Sequence, residues 1–158
     1  MNIDKLVEEC YNAIPPDWRQ RPWDYLNHGR AVLDTENQLN AYIAAYGEMH
    51  IVKCRMAMQN FPFEQLVRSR GKFGDISLLY NFEVYDWGCG QGIGSLVLLQ
   101  MLHERGMLHG LRRITLIEPS TAATSRAVMW IKQSANASTE VRIINRYIPS
   151  NETPMWDD

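Results

Sequence analysis

The chain contains no uninterrupted apolar stretch of 18 residues, so nothing in it reads as a membrane-crossing helix. Nor does it open with a basic start followed by an apolar run: Met1 to Cys10 carries Asp4, Glu8 and Glu9, which excludes an export signal. Cysteine is scarce. Cys10, Cys54 and Cys89 are odd in number and fit neither a disulfide framework nor a metal-ligand spacing, and they read as reduced thiols in a cytoplasm. A basic excess is also missing; the net charge of −2 leaves no global field to supply non-specific affinity for nucleic acid. His103 and His109 have no partner at ligand spacing and are expected at the surface.

What the chain does have is material for a core: 158 residues, 46% of them hydrophobic, amount to one ordinary domain. The organising stretch is Phe82-Glu83-Val84-Tyr85-Asp86-Trp87-Gly88-Cys89-Gly90-Gln91-Gly92-Ile93-Gly94-Ser95. It reads as a strand over 82–85, a glycine turn, and a helix over 92–105. Asp86 stands where the strand runs out, and the glycines allow positive φ and close backbone approach to a ligand. A dinucleotide fingerprint counted from Gly88 needs its third glycine at 93, which is Ile93, so the spacing argues against a nicotinamide cofactor.

Downstream, Arg113-Ile114-Thr115-Leu116-Ile117 is a second strand ending at Glu118. After Pro119, Ser120 or Thr121 caps a second helix over 121–133, and 141–144 is a third strand. Strand, helix, strand, helix, strand predicts an α/β domain with a parallel sheet. Its ligands bind beyond the carboxyl ends of the strands, where Asp86, Gly88 and Glu118 converge. The helix over 92–105, apolar on nearly every side through Ile93, Leu96, Val97, Leu98, Leu99, Met101 and Leu102, must be covered on both faces.

Ahead of this sheet domain, residues 81–158, lies an N-terminal helical segment, residues 1–80. Ile3, Leu6, Val7, Cys10 and Ile14 mark a small helix that Pro15-Pro16 ends. Residues 15–29, with Trp18, Trp23 and Tyr25, form an arm over the surface held by its aromatics. Thr35 and Gln38 make a capping box for one long helix to about Asn60, mildly interrupted at Gly47. On it Tyr42, Tyr46, His50 and Lys53 share one stripe, facing either a cleft or solvent. After Phe61-Pro62-Phe63, residues 64–70 read as a short amphipathic turn, and Arg68, Arg70 and Lys72 as a small solvated basic patch.

The run hydrophobic-x-Asp-x-Gly-x-Gly-x-Gly, here Val84 to Gly92, followed by a helix-length segment and a strand ending in Glu118, resembles the cofactor motifs of the class I S-adenosylmethionine (SAM) dependent methyltransferases. The resemblance implies a Rossmann-like parallel sheet, incomplete at three strands or so, with SAM as the cofactor and a methyl acceptor of unknown kind, RNA and other macromolecules included. It implies that Asp86 accepts from the amino group of SAM or its ordered water, and that Glu118 takes both ribose hydroxyls. Trp87, Gly88, Cys89, Gly90, Gly92 and Pro119 would line the cofactor. The acid that commonly contacts adenine after strand three has no counterpart, and Asn145 stands in its place. The local alternatives are that Asp86 satisfies amides at a helix N-terminus and that Glu118 caps the second helix.

In that family the sheet has seven strands and strand one is interior. The open edge of strand one is therefore expected to take a second copy of the chain, as a homodimer, or a missing C-terminal portion, and the isolated chain to be inactive. Two other functions compete: a non-catalytic SAM-binding or interaction module, and an NAD-binding half-domain. The second is disfavoured by the 32 residues between Asp86 and Glu118, where a dinucleotide site places its acid about 20 beyond the glycines.

Overall fold

The computed structural model describes residues 3–29, 32–63, 65 and 82–147. The basic patch of Arg68, Arg70 and Lys72, nearly all of the expected turn over 64–70, and the chain after 147 lie outside them.

Helix α1, Ile3–Ala13, buries Ile3, Leu6 and Cys10 and stops short of Pro15 and Pro16, which cannot donate to another turn. Two 3₁₀ segments follow, Pro16–Trp18 and Pro22–Gly29. Leu26, fully buried, anchors this arm. Of the aromatics, Trp18 packs half-buried against the same cluster and stacks on Tyr25 with centroids 4.0 Å apart, while Trp23 and Tyr25 remain exposed.

The capping box forms as the sequence implies. Gln38 N–H donates to Thr35 Oγ1 and Thr35 N–H donates to Gln38 Oε1, opening α2, Glu36–Tyr42. The expected single helix to Asn60 is not uniform. It passes through a π-helical turn, Ile43–Gly47, and continues as α3, Glu48–Met58. Gly47 explains the contact at that turn: a Cβ there would lie 3.1 Å from Ile43 Cγ2 and 3.2 Å from Val7 Cγ2, so its absence lets α1 close on the helix.

The second half is β1 (Phe82–Trp87), α4 (Ile93–Glu104), β2 (Leu111–Ile117), α5 (Thr121–Ser134) and β3 (Glu140–Ile144). The strands pair in parallel in the order β1-β2-β3, the α/β parallel sheet expected from the alternation of elements. β1 runs two residues beyond its expected end, because Asp86 and Trp87 continue the ladder opposite Leu116 and Ile117. Ile114 and Leu116 are fully buried, with Leu96, Val97 and Leu99 of α4 and Ala127 and Ile131 of α5 in the same core as Ile3, Leu6 and Ile51 of the N-terminal helices. α4 packs on α3 and on α5, which gives its all-round apolar surface the cover it requires. On the opposite sheet face Glu83, Arg113 and Glu140 share one level, and Arg113 pairs with both acids, at 3.2 Å and 2.8 Å. No helix among the described residues is long and apolar enough to cross a membrane.

Candidate cofactor site

Beyond Trp87 the chain turns through Gly88, Gly90 and Gly92 at φ of 65°, 51° and 80°. The three glycines serve different ends. A Cβ at Gly92 would sit 3.0 Å from Ala127 Cβ and 3.4 Å from Ile131 Cδ1, so its absence lets the loop close on α5. At Gly88 and Gly90 an added Cβ meets nothing within 4 Å; there φ alone demands glycine, and the space before the loop is open.

The loop amides are already engaged. Gly88 and Cys89 N–H donate to the Ile117 carbonyl at 2.8 and 3.2 Å, Gly92 N–H to the Cys89 carbonyl at 2.7 Å, and Gly90 N–H to Glu118 Oε2 at 3.1 Å. A phosphate-binding loop offers such amides to its anion. This loop has turned them inward and set carboxylates beside them.

Asp86 Oδ2 accepts from Ser95 N–H at 3.2 Å and from Ser95 Oγ–H at 2.6 Å, tying the end of β1 to the first turn of α4. Burial nonetheless pushes the Asp86 carboxyl above the usual carboxylate range, with the two Ser95 bonds pulling the other way. Glu118 bridges two segments: besides Gly90 N–H on Oε2, its Oε1 accepts from Ser120 N–H at 3.1 Å. Both local roles weighed from the sequence are therefore present, yet neither exhausts its acid, since each carboxylate oxygen carries two lone pairs. Asp86 Oδ1 accepts no hydrogen bond among the described residues.

The other expected lining residues are dispersed around this pair. Asn145 Nδ2 donates to the Glu118 carbonyl and to Thr124 Oγ1, both at 3.0 Å, so its amide group fastens the end of β3 and only its oxygen is left over. Pro119 is half-buried between Glu118 and the cap Ser120. Trp87 lies under the Arg146 guanidinium at 5.8 Å, and its buried Nε1 has no partner among the described residues. The Cys89 thiol is pushed up to about 12 by burial first and by Asp86 and Glu118 after it, and is inert as a nucleophile at neutral pH.

The α2–α3 path roofs the loop. Buried Gln91 donates from Nε2 to the Leu39 carbonyl at 2.9 Å, docking α2 directly on the glycine turn. Farther along, a Cβ at Gly94 would lie 3.6 Å from Asp86 Oδ2 and 3.9 Å from Cys54 Sγ, which places α3 against the first acid. Between these anchors run Tyr42, Tyr46 and His50. The centroid of Tyr46 is 5.2 Å from that of Tyr42 and 6.5 Å from that of His50. Tyr42 stacks on His50 at 5.8 Å, and its Oη is 3.3 Å from His50 Nε2. Burial first, then Tyr46 and Glu118, push the Tyr42 phenol up, and burial, then Asp86, push the Cys54 thiol up. Lys53, expected on the same stripe, is exposed.

Sequence reasoning missed the residues that hold roof and floor together. Arg126, buried on α5, donates from Nη1 to Asn40 Oδ1 at 2.7 Å and Gln91 Oε1 at 3.1 Å, and from Nη2 to Glu36. Ser120, one of the two expected caps, does cap α5 through Ala123 N–H at 3.0 Å; what the sequence did not show is that it also donates to the Leu33 carbonyl. An arginine among the alanines of a helix face, and a glutamine inside a glycine turn, were the only signals. The chain matches no family model, no curated protein and no solved structure.

Proposed function

We propose that the chain is the cofactor-binding portion of a SAM-dependent methyltransferase of class I type. One observation carries the reading: the amides of Gly88, Cys89, Gly90 and Gly92 are consumed internally, while two carboxylates with spare lone pairs stand at the carboxyl ends of adjacent parallel strands. Such a donor set repels a pyrophosphate and suits a ligand that brings positive charge and hydroxyl groups, which argues against NAD. SAM brings an α-amino group, a ribose diol and, as its chemistry, a methyl group on a sulfonium.

In this reading Glu118 receives the ribose hydroxyls on its second lone pairs, and Asp86 receives the amino group on Oδ1, directly or through water. Gly88 and Gly90 leave room for the ligand, Trp87, Cys89, Gly92 and Pro119 shape the floor, and Asn145 keeps its oxygen for the adenine amine. The work of these residues is to hold the donor and to exclude water, since an in-line displacement needs no protein nucleophile. Three free thiols are what a reducing cytoplasm would leave, which supports that compartment. The outer edge of β1, without a strand partner among the described residues, is where a second copy or another strand would add.

Calorimetry with SAM, S-adenosylhomocysteine and NAD tests the proposal. Wild type binds the first two and not the third, Gly90→Val abolishes binding, and Glu118→Gln, which gives up one charge-assisted contact, weakens it by about 1.5–3 kcal/mol. Equal affinity in all three proteins, or preference for NAD, overturns the site.

A further inference from the structure

Resting on that reading, the geometry points to the Tyr42–His50 pair as the group that takes a proton from the methyl acceptor, and to an acceptor whose reacting atom is a hydroxyl oxygen or an amine nitrogen.

The π turn creates this pair. In an unbroken α-helix, residues eight apart are rotated by about 80° and displaced about 12 Å, too far round for two rings to stack. The π-helical turn Ile43–Gly47 winds more residues into one turn and removes that drift. Tyr42 and His50 thereby stack at 12° between planes with Oη 3.3 Å from Nε2, and Tyr46 lies between them on the same side. A π turn inside a helix is also a frequent mark of a functional site.

Tyr42 and His50 are both half-buried, on the helical path that α2 docks on the glycine turn through Gln91 and that α3 brings against Gly94 through Cys54. Tyr42 senses Glu118, and Cys54, one turn beyond His50, meets Asp86. The charged and titratable groups that act on the pair are Tyr46 and, from the end of β2, Glu118 on Tyr42, and Lys53 on His50; Asp86 acts on Cys54, one turn farther along. Burial raises the Tyr42 phenol and lowers the His50 imidazole, with Lys53 adding to the latter, so both are neutral near pH 7. For the pair to relay a proton, Tyr42 donates its O–H to His50 Nε2 and the imidazole proton sits on Nδ1, the tautomer that the test below reads.

This arrangement can accept a proton without a charged base waiting in the cleft. The X–H bond of the acceptor breaks and its proton goes to Tyr42 Oη, as the phenolic proton passes to His50 Nε2. The electron pair left on X forms the X–C bond while the C–S bond of the methyl donor breaks with its pair on sulfur. The products are a methylated acceptor, a neutral thioether and an imidazolium. An acceptor whose attacking atom carries no proton would have no use for the pair.

The test is nitrogen-15 NMR of the histidine-labelled 158-residue chain, in which His50 is one of four histidines, with parallel calorimetry. Wild-type His50 is expected as the Nδ1–H tautomer, reverting toward Nε2–H in Tyr42→Phe. Adding S-adenosylhomocysteine should shift both His50 ring nitrogens. Phenol, as a hydroxyl probe, or benzylamine, as an amine probe, added to that complex should shift them again, roughly tenfold more weakly bound in Tyr42→Phe. Whichever probe acts tells hydroxyl from amine. If S-adenosylhomocysteine binds by calorimetry but His50 shows the Nε2–H tautomer, or neither probe moves it, the proton-accepting pair is overturned and the cofactor site stands. If S-adenosylhomocysteine does not bind, both fall. The wild-type tautomer decides even if Tyr42→Phe fails to fold, with His50→Gln as the second variant: it should weaken the active probe while leaving S-adenosylhomocysteine affinity within twofold.

Discussion

Alanine placed at each loop glycine in turn should separate the glycine that packs the fold from those that make room for a ligand. At Gly92 two costs add. Its φ of 80° puts an alanine in the left-handed region, a strain of about 1–2 kcal/mol. Its Cβ would also fall 3.0 Å from Ala127 Cβ and 3.5 Å from Ala127 Cα, neither of which can move without shifting α5. Overpacking of that kind adds about 1–3 kcal/mol. Gly92→Ala should therefore lose about 2–5 kcal/mol, or about 5–20 °C in Tm for a domain of this size. Gly88→Ala and Gly90→Ala meet nothing within 4 Å and carry only the backbone strain of φ 65° and 51°, about 1–2 kcal/mol; their larger effect should be on ligand affinity. Gly94→Ala is the control: it is helical, and its Cβ makes ordinary contacts at 3.6 and 3.9 Å with Asp86 and Cys54. Its stability should be unchanged or raised, by up to about 1 kcal/mol. Thermal melts by circular dichroism and titration with S-adenosylhomocysteine below all four midpoints read the two effects separately. If Gly92→Ala melts with wild type, or Gly88→Ala and Gly90→Ala lose as much stability as Gly92→Ala, the assignment of packing to one glycine and access to the other two is refuted.

Arg126→Met should cost about 1–3 kcal/mol in urea unfolding for each of the two buried amide oxygens, Asn40 Oδ1 and Gln91 Oε1, left without its donor; a total loss below about 1 kcal/mol would show that the hub is replaceable. Asp86 has a folded pKa above its ordinary 3.8. The folded state thus holds that proton more firmly, and this group's contribution to stability declines as pH rises from about 4 through the raised value. Asp86→Asn should remove that slope, leaving Tm at pH 7 equal or higher while S-adenosylhomocysteine binding falls; a lower Tm at pH 7 contradicts it. His50 shifts the other way. With its folded pKa below 6.5, its contribution is constant above about pH 6.5 and is lost as pH falls through the window beneath it. His50→Gln should flatten the Tm profile there, and an unchanged slope would place the proton uptake elsewhere.

The parts of the fold legible in the sequence are those set by local rules. Alternation of apolar strands with apolar helices gave the parallel sheet, the Thr35–Gln38 spacing gave the start of α2, and the two prolines gave the end of α1. The strand ends were read short because Asp86 and Trp87 look like loop residues, yet the ladder with β2 continues as far as Ile117 can accept. The π turn was invisible because it arises from packing: only the approach of Val7 to Gly47 distinguishes that stretch from ordinary helix. At the site, both acids and the glycines were found by position. The carboxylates' bonds at the two helix starts, to Ser95 and Ser120, were among the roles the sequence offered, but the bond from Gly90 N–H to Glu118 was not, since it depends on which backbone amides the turn leaves available. Arg126 escaped notice because an arginine on a helix is usually solvated, and its partners Asn40 and Gln91 lie 86 and 35 residues away.

The tethers also bear on how a ligand would meet this cleft. Glu118 holds Gly90 on one side and the cap Ser120 on the other, so the carboxylate is fixed before anything binds, and little side-chain freedom remains to be lost on binding. Gln91 fixes the roof in the same way: its amide nitrogen holds α2 at Leu39, and its oxygen is held by Arg126, which also grips Asn40. Floor and roof therefore share one buried hydrogen-bond network, and the separation between the acids and the Tyr42–His50 pair follows from Gln91. A substitution at Gln91 that kept the helix intact would change that separation without touching any ligand-facing group. Gln91→Glu, which puts a carboxylate against Arg126 but cannot donate to the Leu39 carbonyl, should weaken S-adenosylhomocysteine binding, shift the His50 resonances, and leave the Glu118 contacts in place.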